Sequence, residues 1–220
     1  MTSSQFDDKK WYSSVKLKSL SLCLIRSVSG FVILSKKNWR NFMIKKFVLG
    51  LLTFSVLSVS FAPASENLFQ FQAPDIDGEK LSLRQFEGQV VLVVNTASKC
   101  GYTYQYEGLE KVYRQFQGRG FVVLGFPSDD FWQEYNSNEE IKEFCKGYQI
   151  SFPLFAEGPV RGSDKQEVFR FLTEQSGMDG EIRWNFEKFL LDRDGNLVRR
   201  YRSGQDPDED PLLSQIETLL

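Results

Sequence analysis

At 220 residues, with 41% hydrophobic and 25% charged side chains, the chain has room for one ordinary core and an appendage. Its charges are unevenly spread: residues 1–64 hold ten Lys/Arg against two Asp/Glu, and residues 65–220 hold 17 against 27. That acidic majority argues against a nucleic-acid partner, which needs a basic face, and the lack of any histidine excludes a Cys-His hydrolase and leaves metal binding to carboxylates and thiols.

Residues 1–42 show no sustained helical or strand period. They precede Met43-Ile44-Lys45-Lys46, the apolar run 47–61 and Ala62-Pro63-Ala64, the three parts of a secretory signal with cleavage after Ala64. The 15-residue run is short for a bilayer span. The expectation is an over-extended, disordered stretch at 1–42 with translation from Met43, a cleaved signal at 43–64, and a mature domain at 65–220. The product is expected to be secreted or periplasmic, without a stable membrane anchor. Cys23 then falls outside the mature domain and leaves Cys100 and Cys145. Two thiols in an oxidising compartment can form one disulfide, structural or catalytic.

Along the mature domain, 68–71 reads as a short strand and Asp77-Gly78 as a hairpin turn. Residues 90–95 form a β-branched apolar run, the mark of a strand buried on both faces. A helix follows at 106–117, with Leu109, Val112, Tyr113 and Phe116 on one face, then a second buried strand at 121–126. Ser137-Asn138-Glu139-Glu140 is a capping box opening a helix at 138–148, whose inner face carries Ile141, Phe144 and Cys145. A helix at 166–176 turns Val168, Phe169 and Leu172 inward. Strands at 186–191 and 197–201 flank the turn Asp192-Arg193-Asp194-Gly195, and a helix at 210–220 starts with acidic residues and Pro211. The acidic run 206–210 reads as solvated. This order predicts an α/β, thioredoxin-like fold: a central mixed sheet flanked by helices, with a right-handed crossover between its two parallel strands.

Cys100 lies between a buried strand pattern and an amphipathic helix pattern, in Val94-Asn95-Thr96-Ala97-Ser98-Lys99-Cys100-Gly101-Tyr102-Thr103. Helix N-terminal amides facing it, and Lys99 beside it, would favour the reactive thiolate. That segment, with Leu124-Gly125-Phe126-Pro127, Trp184-Asn185-Phe186-Glu187-Lys188-Phe189-Leu190 and Ser137 to Cys145, resembles the glutathione peroxidase family over nearly all of 66–204.

The resemblance implies a hydroperoxide reductase with Cys100 as the peroxidatic residue, in the non-selenium, thioredoxin-dependent branch. It implies hydrogen-bond support from Gln133, Trp184 and Asn185, and a resolving role for Cys145, which would form a disulfide with the Cys100 sulfenic acid. The two Cα atoms are expected to lie beyond the disulfide reach of about 7 Å, so that the Cys145 helix unwinds locally in each cycle. Hydrogen peroxide and organic hydroperoxides, lipid ones included, are the implied substrates. A thioredoxin-like protein or glutathione is the implied reductant. No metal or cofactor is expected, and the short segment 173–183 favours a monomer.

The chain departs from the family pattern at Ser128-Asp129-Asp130-Phe131, so the Gln133 match depends on a gap. The two aspartates read as a solvated loop face, with the option of negative charge near the thiolate. Two other classes stand beside the enzyme reading. One is a thiol-disulfide oxidoreductase, against which Thr103 stands where a Cys-x-x-Cys motif needs its second cysteine. The other is a non-catalytic binding module with a structural Cys100–Cys145 bond.

Overall fold

The expected strand at 68–71 is a 3-10 turn instead, Leu68–Gln70, because the Asn67 side chain accepts from the Phe69 amide at 3.1 Å and curls the chain. Leu68 and Phe69 are still buried. This computed structural model describes residues 66–174 and 178–220; the predicted signal and everything upstream of it lie outside them. Among the described residues, no helix is long and apolar enough to cross a membrane.

A two-stranded hairpin comes first, β1 (Gln72–Pro74) and β2 (Lys80–Ser82), turned at Gly78 with φ of +86°. Then come β3 (Val90–Thr96), α1 (Gln105–Phe116), β4 (Phe121–Pro127), α2 (Asn138–Gly147), α3 (Glu167–Thr173), β5 (Lys188–Leu191), β6 (Leu197–Tyr201) and α4 (Leu212–Leu219). The main sheet has the order β4-β3-β5-β6. β3 and β4 pair in parallel across the α1 crossover, while β5 and β6 run antiparallel. The free edge of β4 is not left bare: Gly125 donates to the Pro153 carbonyl at 3.0 Å and accepts from Phe155 at 2.9 Å.

Alternation along the strands sends side chains into two cores. One face carries Val91, Val93, Leu124, Phe126, Phe189 and Leu191 against α3. The other carries Val90, Leu92, Val94, Val123 and Leu190 against α1, α2 and α4, and both Cys100 and Cys145 belong to it. Each fully buried side chain of this size contributes about 1.5–3 kcal/mol.

Several boundaries differ from the sequence reading for identifiable reasons. α3 stops at Thr173, whose carbonyl accepts from the Gly180 amide at 2.9 Å; the expected end of this helix falls partly on residues 175–177, outside the described set. β5 begins at Lys188 because Phe186 adopts φ of +62°, which no strand residue can. α4 begins at Leu212, with Asp210 accepting from the Ser214 amide at 3.1 Å.

The acidic run before α4 is not merely solvated. Asp206 accepts from the Tyr104 hydroxyl at 2.9 Å and the Gln105 side-chain amide at 3.1 Å, and Asp208 pairs with Lys111 at 2.8 Å, so this segment is fastened to α1. Beneath it lies Lys188, fully buried, donating to Gln105 Oε1, to the Gln205 carbonyl at 2.6 Å and to the Ser203 carbonyl at 3.3 Å. Burial pulls its ammonium down to about 7, against the opposing charges of Asp206 and Glu187.

Candidate active site

The β3 strand ends at Thr96 and the chain turns before α1, placing Cys100 in a tight loop above the sheet. The Cys100 carbonyl accepts from the Thr103 amide at 3.1 Å and from the Thr103 hydroxyl, which closes the turn. The Tyr102 amide then points at the sulfur, 3.4 Å from Sγ. Two sequence expectations are corrected here. The donor to the sulfur is a turn amide, since α1 starts only at Gln105. Lys99 turns elsewhere, its ammonium donating to the Glu134 carbonyl at 3.0 Å and lying 4.0 Å from the centre of the Tyr135 ring. Cys100 itself is 7% exposed.

Gln133 comes to the same place from the loop after β4. Its backbone carbonyl accepts from the Lys99 amide at 2.8 Å, and its side-chain oxygen accepts from Asn185 Nδ2 at 3.0 Å. The gapped match therefore puts a glutamine beside the asparagine of the Trp184-Asn185 pair. Backbone strain brackets this contact. Trp132, before Gln133, has φ of +56°, and Phe186, after Asn185, has φ of +62°. Bulky residues in this left-handed region cost about 1–3 kcal/mol and persist where their surroundings impose them, often at functional sites.

Two residues passed over in the sequence reading hold these pieces. Asn95, a lone polar side chain in the apolar β3 run, donates to the Trp184 carbonyl at 3.1 Å and accepts from the Glu187 amide at 3.0 Å. It clamps the turn that carries Trp184 and Asn185. Glu134 is buried and accepts the Ser98 amide with both oxygens at 3.1 Å and the Tyr135 amide at 2.8 Å. Burial raises its carboxyl above the usual range. The available signals were the polar break in a hydrophobic strand and the adjacent Gln133-Glu134 pair.

Asp129 and Asp130 are not a solvated face either. Asp129 accepts from the Glu134 amide at 3.0 Å, while Asp130 accepts from the Val160 and Arg161 amides at 2.7 and 3.0 Å. Both brace the Gln133 loop. Trp184 is 41% exposed and leans on the Phe131 ring, 5.2 Å between centres; Trp132 beside it is 88% exposed. Each exposed indole lies next in sequence to a residue of the Gln133–Asn185 pair.

Cys145 lies on α2, 2% exposed, in the same apolar cluster as Cys100. Both are free thiols. Burial pushes the Cys145 thiol up to about 11; the Tyr106 hydroxyl opposes that shift and the Glu134 charge adds to it. The helix carrying it opens as predicted, with Ser137 capping the Glu140 amide at 3.3 Å.

Comparison with known proteins identifies the chain's family and fold. The model of the family described as glutathione peroxidase matches residues 68–173. The chain is 46% identical over 169 residues to the hydroperoxy fatty acid reductase gpx1 of Synechocystis sp., covering 72% of this chain and 99% of that protein. It is 44% identical over 158 residues to the glutathione peroxidase-like peroxiredoxin gpx1 of Schizosaccharomyces pombe, covering 70% and 99%. The crystal structure of T. cruzi GPX1 superposes with a TM-score of 0.56 at 30% identity, covering 70% of this chain and 96% of that one. The sheet and its helices are the thioredoxin-like fold expected from the sequence. With identity of this order along almost the whole of its relatives, the chain belongs to the non-selenium glutathione peroxidase family and is a hydroperoxide reductase.

Proposed function

We propose that Cys100 reduces hydroperoxides by direct attack, with Gln133, Trp184 and Asn185 as its hydrogen-bonding partners and Cys145 as the resolving thiol. The thiolate of Cys100 takes the distal peroxide oxygen as the O–O bond breaks. The departing alkoxide collects a proton and leaves as an alcohol, or as water from hydrogen peroxide. Neutral amide and indole N–H groups suit this step because they stabilise negative charge without competing for the proton. The observation that carries the reading is the 3.0 Å Asn185–Gln133 hydrogen bond, latched to the Cys100 loop through the Lys99 amide and flanked by strained backbone on both sides.

The Cys100 sulfenic acid then condenses with Cys145, forming the S–S bond and releasing water, and an external dithiol reduces the disulfide by exchange. A thioredoxin-like reductant fits better than glutathione, since the Lys99 ammonium beside Cys100 is engaged by the Glu134 carbonyl and the Tyr135 ring. Bulky, lipid-type hydroperoxides are the favoured organic substrates. The exposed Trp132 and Trp184 offer an apolar landing, and the Synechocystis relative is named for hydroperoxy fatty acids. The working form is a monomer, exported by the signal at 43–64.

Stopped-flow mixing with hydrogen peroxide tests the first step, with rapid loss of one thiol as the expected result. Mass spectrometry of the oxidised chain should then show a Cys100–Cys145 disulfide. Thioredoxin-driven turnover that persists in Cys145→Ser overturns the resolving role.

A further inference from the structure

We propose that Tyr106 readies Cys145 for disulfide closure, its phenol O–H donating to the Cys145 sulfur as the thiol gives up its proton to become the attacking nucleophile. The inference rests on the resolving role proposed for Cys145 and adds the residue that makes the buried thiol usable.

Tyr106 is fully buried in the first turn of α1, six residues after Cys100. Its ring meets Phe186 edge-on at 5.4 Å, next to Asn185. It also packs on Phe144 at 6.2 Å and Tyr148 at 5.6 Å, both on the stretch of chain around Cys145. Tyr106 thus links the start of α1, just after the Cys100 turn, to Phe186 beside Asn185 and to the Cys145 helix.

Its hydroxyl is buried without a hydrogen-bond partner, in the same apolar cluster as the Cys145 thiol and within electrostatic reach of it. Thr96 Oγ1 is likewise buried without a partner. A buried hydroxyl left in this way is costly and calls for an explanation. A phenol waiting beside a thiol supplies one: ionisation of the sulfur creates the acceptor that the O–H lacks.

The charged and titratable groups around the pair are few. Tyr106 approaches from α1, Glu134 from the loop before α2 with Lys99 next to it, and Tyr148 from the C-terminal cap of α2. Burial raises the Tyr106 hydroxyl well above its ordinary range, so it stays protonated and acts as a donor. For Cys145, burial and the Glu134 charge oppose ionisation, and Tyr106 is the group that favours it.

The chemistry balances without a further reagent. The Cys145 thiol gives its proton to solvent, and its thiolate attacks Cys100 Sγ. The S–S bond forms as the sulfenic S–O bond breaks, and the departing hydroxide takes a proton to become water. The peroxide has already supplied the oxidation.

The test compares the full chain with Tyr106→Phe after one equivalent of hydrogen peroxide. Sulfenic acid formation and disulfide closure are read separately, by trapping with a dione and by mass spectrometry of quenched samples across pH. Losing a hydrogen bond to a charged group should lower closure about tenfold relative to sulfenic acid formation. The pH midpoint of closure should rise by about one unit. Equal slowing of both steps, as from general loosening of the core, or an unchanged midpoint, overturns the assignment. The two readings fail differently. Absence of the disulfide from the native chain defeats the Cys145 role, whereas closure in Tyr106→Phe as fast as in the native chain defeats Tyr106 alone.

Discussion

The two cysteines share one apolar cluster, and the structure treats them in opposite ways. Cys100 sits in a turn, where backbone amides have no helical partner and one of them is directed at the sulfur. Its surroundings are built from cross-linked loops: Glu134 on the Ser98 amide, the Gln133 carbonyl on the Lys99 amide, and Asn95 under the Trp184 turn. Cys145 sits inside a regular helix, where the backbone amides are already spent, and burial raises its thiol to about 11. The contrast teaches a division of labour. Under the proposed mechanism, a turn amide would prepare one sulfur for attack on an incoming peroxide, and a helix would hold the other until a sulfenic acid forms.

That contrast can be broken at several points. Replacing Cys100 with Ser should reduce peroxide consumption to background, the largest effect, because the other thiol among the described residues, Cys145, sits inside a helix with no turn amide directed at it. Next come Gln133→Ala and Asn185→Ala, each expected to lower the rate with peroxide by about 10²–10³; a loss of less than tenfold would show that the pair is structural. Steady-state kinetics with hydrogen peroxide reads all three.

The supports should matter through stability and placement. Asn95→Ala leaves the Trp184 carbonyl and the Glu187 amide without their partner, at a cost of about 1–3 kcal/mol for each stranded buried group. Asp130→Ala releases the Val160 and Arg161 amides nearer the surface, so a smaller loss is expected. Urea denaturation measures both, and each variant should also slow the peroxide step by loosening one side of the site.

Lys188 sharpens the comparison through pH. Its folded-state value of about 7 lies below the ordinary lysine range. The unfolded chain therefore binds the extra proton between pH 7 and about 10, and stability from this group rises with pH across that window. Lys188→Met should flatten the rise, as read by denaturant midpoints at several pH values. The smallest effect belongs to Trp132→Gly. It relieves the left-handed backbone, so stability should change by less than about 1 kcal/mol. Loss of an apolar contact should raise KM for a fatty acyl hydroperoxide by roughly threefold and leave hydrogen peroxide unaffected.

The layered fold was legible because its strands are short apolar runs and its helices carry clear 3-4 spacing. β3, β4, β6, α1 and α2 lie within a residue or so of their expected places. Misreadings fell where a side chain captures a nearby amide. Asn67 bends 68–70 into a 3-10 turn, Asp210 caps a helix that starts later than expected, and Asp129 and Asp130 are tied into the Gln133 loop. Such bonds depend on which backbone groups come within 3 Å, and hydrophobic periodicity is silent on that.

By itself, the order of residues determined the sheet, the position of Cys100 at a strand end and the candidate partners, because periodicity and motif spacing are local properties of the chain. Tertiary structure alone decided that the Tyr102 amide rather than Lys99 attends the sulfur, that Asn95 and Glu134 hold the site together, and that Tyr106 shares an apolar cluster with Cys145. Those contacts join residues up to 92 positions apart, and only the folded backbone brings such groups within bonding distance.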